Sequence, residues 1–283
     1  MAGGNGSRLF PITKTVNKHL LPIYDKPMIY YPLSVLMLID IREIAIITND
    51  YDFKNFKKLL GDGSQLGINI TYLIQKKSNG IAEAFTIAKD FIENQNVCLI
   101  LGDNIFYGNG LSHILNKQKD DLNGACIFTY PVIDPQRYGI IEFNKSHKPQ
   151  SIVEKPKNPK SNLAVTGLYF FDNDVIKVAE NNKKSKRGEF EISSINQYYL
   201  DKKRLNVEIM GRGLTWFDAG TPQSLLESAQ FVQSIENRQG FKIACIEEIA
   251  LRKKWISKEV FLKTTSKLGD TSYSKYLNKI ITI

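Results

Sequence analysis

Apolar runs of strand length punctuate the chain, and stretches with helical spacing separate them. "EIAIIT" ends at Thr48, "INITYLI" at Ile74 and "NVCLILGD" at Asp103. "GACIFTYPV", "YGIIEF", "AVTGLYFF", "NVEIMG" and "LTWFDAG" follow. Several are apolar on both faces and rich in Ile and Val, as buried parallel strands tend to be. Between them, "GIAEAFTIAKDFIE" places Ile81, Ala84, Phe85, Ala88, Phe91 and Ile92 on one helical face. "TPQSLLESAQFVQSIENRQG" carries the punctuation of a helix. Thr221 is the N-cap, Pro222 takes the first helical position, Leu225, Ala229 and Val232 keep one face, and Gly240 is the stop.

Alternation of strand and helix through the first half predicts βαβ units. The expected class is α/β, a Rossmann-like, mainly parallel mixed sheet flanked by helices. From about Gly124 to Gly213 strands outnumber helices, which predicts a mixed sheet or an inserted hairpin layer. After Gly240 the pattern is short helices without a strand, a small C-terminal helical appendage. No repeat, low-complexity tract or Pro/Ser linker is visible. The expected organisation is an α/β core over residues 1–240 and a helical segment over 241–283.

With 283 residues the chain is long enough for a substantial core. A net charge of +9 suits nucleic acid, a membrane surface or a phosphorylated small molecule. The cations are scattered, as in "NFKKLL", "ENNKKSKRGE" and "ALRKKW", with no aromatic-interleaved stripe, so no nucleic-acid partner is expected. Cys98, Cys126 and Cys245 are odd in number and far apart, and the first two sit in apolar runs. They read as reduced core thiols, and no Cys/His cluster has zinc spacing. His19, His113 and His147 lie in polar or helical contexts and receive no catalytic role. "MIYYPLSVLMLI" is interrupted by Pro32 and too short to span a bilayer, and no signal pattern opens the chain. A cytoplasmic protein without a membrane partner is expected.

The first candidate for chemistry is "MAGGNGSRLFPITKTVNKHLLP". Glycines let backbone N–H groups close around an anion where a Cβ would clash. A Walker loop would need Lys-Ser/Thr after Gly6, and a dinucleotide fingerprint from Gly4 would need glycine at Leu9. What remains is Gly-Gly-x-Gly-x-Arg, with Lys18 ten residues beyond Arg8. Arg8 offers a bidentate fork and Lys18 a point charge, as a polyphosphate requires. A flexible terminus followed by surface cations is the other reading, and spacing alone does not separate them. Asp103 and Asp218 each follow an apolar run, where ligands collect in open α/β sheets. Each suits Mg²⁺ by its oxygen donors, or is a loop or capping aspartate.

The wider chain resembles a known family. "AGGNGSRLFPIT", "NKHLLPIYDKPMIYYPLSVLMLIDIREI", "LLGDGSQLGINITYLIQ", "LILGDNIFYG", "DPQRYGIIEF", "EKPKNPKSNLAVTGLYFFD", "RGEFEI", "VEIMGRGLTWFDAGT" and "ENRQGFKIACIEEIA" follow one another in the order of the sugar-1-phosphate nucleotidyltransferases. The likeness covers essentially the whole chain and is strongest to the glucose-1-phosphate thymidylyltransferase branch. It implies Mg²⁺-dependent transfer of a thymidylyl group from dTTP to α-D-glucose 1-phosphate. The products would be dTDP-glucose and pyrophosphate, the first step toward dTDP-L-rhamnose and other deoxysugars. By the same resemblance Asp103 and Asp218 hold the magnesium. Gly3, Gly4, Gly6, Ser7, Arg8 and Lys18 wrap the nucleotide phosphates beside Asp103, Gln75 bonds the base, and Gly80 approaches it closely. Asn104, Tyr138, Gly139, Glu154, Lys155, Val165 and Trp216 receive the sugar phosphate. Arg8, Lys18 and Lys155 join the two aspartates as the catalytic set.

An amide such as Gln75 pairs with thymine or uracil alike, so a sister enzyme using UTP or another sugar phosphate stays open. The resemblance also implies a homo-oligomer, typically a tetramer, with a regulatory site and an interface on the C-terminal segment. Asn17 and His19 flank Lys18 where relatives often carry Ser and Gln, and "FDAGT" stands for the more usual "LDTGT". Relatives carry an apolar strand of the type "GIIL" before the glycines, whereas here Met1 abuts Ala2. Without that strand, neighbouring backbone groups are expected to lose partners, and an inactive truncated homologue is a further alternative.

Overall fold

In the computed structural model, which describes residues 1–146 and 148–281, the chain divides into two units. The terminal unit takes Ala2–Ile74 and Phe217–Ile283, and the central unit takes Met1 with Gln75–Trp216. His147 lies outside the described residues.

The terminal unit begins with a short hairpin of β1 (Pro22–Ile23) and β2 (Lys26–Pro27), then α1 (Tyr30–Leu38), β3 (Glu43–Thr48), α2 (Phe53–Leu60) and β4 (Asn69–Ile74). The most apolar stretch of the chain is α1. Pro32 sits in its first turn, where a missing N–H costs nothing, and Tyr31 through Met37 are buried without a polar face between them. β3 and β4 pair in parallel, from Glu43 opposite Asn69 to Thr48 opposite Ile74. The N–H of Ala2 donates to the Ile47 carbonyl at 2.6 Å.

The central unit runs α3 (Glu83–Ile87), α4 (Lys89–Ile92), β5 (Val97–Ile100), β6 (Asn104–Gly108), α5 (Leu111–Asp120), β7 (Ala125–Pro131), β8 (Gly139–Phe143), β9 (Pro149–Glu154), β10 (Leu163–Phe171), α6 (Val175–Glu180), α7 (Ile192–Asp201), β11 (Leu205–Ile209) and β12 (Leu214–Asp218), whose last two residues belong to the terminal unit. Its main sheet has the order β11-β7-β10-β8-β9, with β5 also on β10, and β6 pairs separately with β12. β7 and β11 are parallel, and β10 is antiparallel to β5, β7 and β8. The mixed α/β sheet stands, with three antiparallel pairs on β10 and another between β8 and β9. Eight of the nine β10 residues are buried, so this apolar run reports burial on both faces and not strand direction. Edge-to-face pairs Phe85–Phe171 and Phe128–Phe170 fill the core beside it. Met1 donates its amino group to the Ile100 carbonyl and accepts from Gly102 N–H, both at 2.9 Å. Backbone groups of Ile47, Ile100 and Gly102 are thus engaged by Met1 and Ala2.

The single helical face expected around 81–92 divides into α3 and α4 at Ala88, whose φ of −94° and ψ of 13° leave the helical region. β-branched Thr86 and Ile87 propagate a helix poorly, and the Thr86 hydroxyl bonds back to the Glu83 carbonyl at 2.9 Å.

Four helices close the terminal unit: α8 (Pro222–Gln239), α9 (Ile246–Arg252), α10 (Lys258–Thr265) and α11 (Ser272–Ile281). α8 has the predicted ends, a Thr221–Ser224 capping box and a left-handed Gly240. The last three helices pack around Cys245, Phe261 and Leu277. α8 buries Ser228, Val232 and Glu236, so one residue of its inner face is charged. Glu236 accepts from Lys26 Nζ at 2.9 Å, Lys242 Nζ at 2.7 Å and Ile243 N–H at 2.9 Å. Both lysines also bond Asp25. Burial pushes the Asp25 carboxyl up, but Lys26 and Lys242 together hold it below its ordinary value. Among the described residues no helix is long and apolar enough to cross a membrane.

Candidate active site

In the terminal unit the glycine run closes a tight turn. Gly6 adopts the left-handed conformation (φ 61°, ψ 29°) and opens a 3-10 turn over Ser7–Leu9. Its carbonyl accepts from Thr13 Oγ1 at 2.7 Å. A Cβ at Gly6 would stand 3.1 Å from Thr13 Cγ2 and 3.2 Å from Lys18 Cβ. A Cβ at Gly4 would stand 3.6 Å from Lys18 Cε and 3.8 Å from its Nζ. Lys18 therefore lies along the run with its ammonium beside Gly4. Gly3 is buried and Ser7 exposed in the same loop.

Arg8 reaches the end of β12, where its Nη1 lies 3.9 Å from Asp218 Oδ2. Both press on Gly220, where a Cβ would come within 2.6 Å of Arg8 Nη2 and 2.9 Å of Asp218 Oδ1. The Arg8 side chain is 54% exposed, and an ion pair this open adds little stability. Its guanidinium is held by one carboxylate and faces solvent, an arrangement that suits an anionic ligand better than it suits folding. Gly220 escaped the sequence analysis; its only signal is a glycine two places after a strand-end aspartate.

The central unit is organised around Asn104, 2% exposed at the start of β6. Its Oδ1 accepts from Trp216 Nε1–H at 2.6 Å and from Gly167 N–H at 2.9 Å, and its Nδ2 donates to Asp103 Oδ1 at 3.1 Å. Gly167 has to be glycine, because a Cβ there would sit 2.6 Å from that oxygen. Trp216 stands edge-on to Tyr138 at 5.2 Å and to Tyr130 at 6.0 Å, giving an aromatic wall. Val165 is buried on β10, where the register with β7 shifts between Val165 and Tyr169.

Glu154, the last residue of β9, is in register with Gly139. A Cβ at Gly139 would lie 3.2 Å from Glu154 Oε2, so the carboxylate is laid over that glycine. Burial and the neighbouring Glu191 raise the Glu154 pKa, opposed by Lys155, Arg187 and a bond from Ser193. Lys155 follows in a left-handed conformation (φ 44°) rare for a lysine, with its N–H on the Tyr138 carbonyl at 3.0 Å. Its Nζ lies 3.9 Å from Glu154 Oε1. Arg187, which the sequence analysis passed over, ion-pairs Glu154 at 3.6 Å and Glu191 at 3.3 Å. Gln75 is buried, and its amide donates to Glu83 Oε2 at 2.8 Å and Gly80 O at 3.3 Å. That leaves its carbonyl oxygen to accept from a ligand. Gly80 (φ 114°) packs against Phe190, where a Cβ would come within 2.5 Å of the backbone oxygen.

The central unit thus brings together Asn104, Asp103 and Trp216 with Tyr138, and Gly139 with Glu154 and Lys155. The terminal unit brings together Gly4, Gly6 and Lys18, and Arg8 with Asp218. Asp103 is 6% exposed, in the turn between β5 and β6. Mg²⁺ takes one or two protein carboxylates and fills its remaining positions with water and phosphate oxygens, a demand that carboxylates such as Asp103 and Asp218 fit.

The nucleotidyl transferase family model matches residues 1–235. A glucose-1-phosphate thymidylyltransferase of Neisseria meningitidis serogroup A is 50% identical over 281 residues, covering 99% of this chain and 98% of its own. The enzyme of the same description from Mycobacterium tuberculosis is 49% identical over 281 residues, 99% and 97% of the two chains. A crystal structure of a Bacillus anthracis protein assigned as a glucose-1-phosphate thymidylyltransferase, in complex with a sucrose, matches at a TM-score of 0.75 and 40% identity, covering 81% of this chain and 92% of that one. Left-handed glycine loop, strand-end carboxylates and full-length identity agree, and the chain belongs to the nucleotidyl transferase family.

Proposed function

We propose that the chain is a glucose-1-phosphate thymidylyltransferase, making dTDP-glucose and pyrophosphate from dTTP and α-D-glucose 1-phosphate. The observation that carries this is the terminal unit's loop, where Lys18 lies along Gly4 and Gly6 and Arg8 is poised at Asp218. The curated relatives near 50% identity support the choice of nucleotide and sugar.

The sugar-phosphate oxygen attacks the α-phosphorus in line and pyrophosphate leaves. A phosphate is already ionised near neutral pH, so the attack needs no general base. The barrier lies in bringing two anions together and aligning them. Arg8 and Lys18 neutralise the triphosphate, and Lys155, with Arg187 beside it, receives the sugar phosphate. Glu154 offers an acceptor to the sugar hydroxyls and Asn104 the second hydrogen of its amide, with Trp216 and Tyr138 as the apolar wall. Gln75 accepts from the N3–H of the base. Nucleotidyltransferases are typically metal-dependent. We assign Mg²⁺ to Asp103 and Asp218, where it would screen phosphate charge and favour the leaving pyrophosphate when bound. The C-terminal helices are assigned to a homo-oligomer interface, which sedimentation of the full chain tests.

Pyrophosphate release is measured with dTTP and UTP against a panel of sugar 1-phosphates, with and without Mg²⁺. The highest kcat/KM is expected for dTTP with glucose 1-phosphate and Mg²⁺. Preference for UTP would sink the thymidylyl assignment, and release with none of the pairs would sink the transferase itself.

A further inference from the structure

Three segments of the terminal unit converge on one buried carboxamide, that of Asn17. Its Nδ2 donates to the Ala2 carbonyl at 3.3 Å and to Asp52 Oδ2 at 2.7 Å. Its Oδ1 accepts from His19 N–H at 2.9 Å and lies 2.7 Å from His19 Nδ1. An amide oxygen only accepts, so Nδ1 is the protonated ring nitrogen. Asp52 is held in turn: the same Oδ2 accepts from Asn49 Nδ2 at 2.6 Å, and its N–H donates to Asn49 Oδ1 at 2.8 Å. Both hydrogens and both lone pairs of the Asn17 amide are therefore occupied.

This junction sits where the geometry of Lys18 is decided. Asn17 caps the 3-10 turn Lys18–Leu20 and, through Ala2, grips the chain two residues before Gly4. Lys18 Cβ lies 3.2 Å from the Cβ position of Gly6, and its Nζ lies 3.8 Å from that of Gly4. A slip of the turn against the loop by an ångström would carry the ammonium away from the run, and misplacement on that scale can cost about 10²-fold in rate. We propose that Asn17, anchored by Asp52, is a positioning residue that sets the Lys18 ammonium over the glycine run. The proposal rests on the reading of that run as the triphosphate site. An ordinary buried cap would change stability and leave triphosphate recognition untouched.

Three variants separate these roles. Asn17→Ser keeps a cap for His19 N–H but is too short to reach Asp52. Asn17→Asp sets a carboxylate against that of Asp52. The double variant N17D/D52N rebuilds an amide–carboxylate pair with its direction reversed. Each is titrated with inorganic tripolyphosphate by calorimetry, which needs neither base nor sugar, and assayed by initial rates with dTTP and glucose 1-phosphate. Asn17→Ser and Asn17→Asp are expected to weaken tripolyphosphate binding by about tenfold. They should also lower kcat/KM for dTTP by about 10²-fold with the KM for glucose 1-phosphate unchanged. N17D/D52N should regain about tenfold over Asn17→Asp in both readouts. Unmutated tripolyphosphate affinity in the single variants, no recovery in the double, or an equal rise in both KM values would overturn the proposal. If the unmutated chain binds tripolyphosphate but releases no pyrophosphate from dTTP, the transfer reading falls and the calorimetry alone decides the role of Asn17. Failure of the unmutated chain to bind tripolyphosphate overturns both.

Discussion

The terminal unit builds its part of the site from backbone and open cations, while the central unit builds its part from buried side chains bonded to one another. Around Gly4 and Gly6 the chain presents a left-handed turn, with an arginine more than half exposed. Around Asn104 nearly every polar atom is committed, to Trp216, Gly167 and Asp103. The difference follows the ligands each is read to take. A triphosphate is recognised by charge, which acts across a few ångströms and tolerates solvent. A sugar is neutral and is distinguished only by donors and acceptors fixed in place beforehand, and that demands burial. The open Arg8–Asp218 pair therefore contributes little to stability, whereas the sugar side carries a carboxylate that burial disfavours.

The largest effect is expected from Arg8→Ala. Removing one preorganised charge donor from phosphoryl chemistry lowers kcat/KM by about 10³-fold. The thermal transition should not move, because the pair with Asp218 is open to solvent. A large loss of Tm would break the comparison. Lys26→Met is the converse case in the same unit. The Lys26 side chain is 2% exposed between Asp25 and Glu236, and deleting one member of such a cluster leaves buried charge uncompensated. A loss of about 3–5 kcal/mol in urea unfolding is expected. Next is Trp216→Phe, which keeps the ring and deletes the bond to Asn104. The KM for glucose 1-phosphate should rise about tenfold with that for dTTP unchanged; parallel rises would mean that the sugar side is not a separate recognition surface.

Glu154→Gln gives the smallest shift. Its carboxyl titrates above the ordinary 4.5 in the fold, so the unfolded chain releases that proton first and stability falls as pH rises through the interval. The Gln variant escapes this fall. It should match the unmutated protein below pH 4.5 and melt about 1–3 °C higher at pH 7, while its sugar-phosphate KM worsens. Equal melting at both pH values would remove the stability penalty from the sugar side.

Strands β3, β5, β7 and β10 were legible because each is a largely apolar run of strand length. β6 and β9 were not, since Asn104–Gly108 and Pro149–Glu154 mix polar residues with apolar ones and owe their extension to their partners. Glu236 defeated the helical pattern of α8 because its charge is neutralised by Lys26 and Lys242, one of them 210 residues away in sequence. Residues that stand next to recognisable motifs, such as Gly4, Lys18, Asp103 and Glu154, were nominated before the structure placed them. Gly167 and Gly220 were beyond reach because nothing in their neighbourhoods shows which side chain from a distant segment will pass over them. Arg187 lay inside a recognised string, yet its pairing with Glu154 depends on how the chain from β10 to α7 returns.

Gly220 has a consequence for any exhaustive substitution survey of this protein. It has no functional group, sits in no proposed ligand contact and has no positive φ to explain intolerance. Even alanine would drive a carbon into both Arg8 and Asp218. Such a survey will score position 220 as sensitive, because a carbon there displaces the Arg8 guanidinium from its place beside Asp218. Here the absence of an atom is the conserved chemical requirement to be expected, and sensitivity to mutation will mark the path of the arginine and not a participant in the reaction.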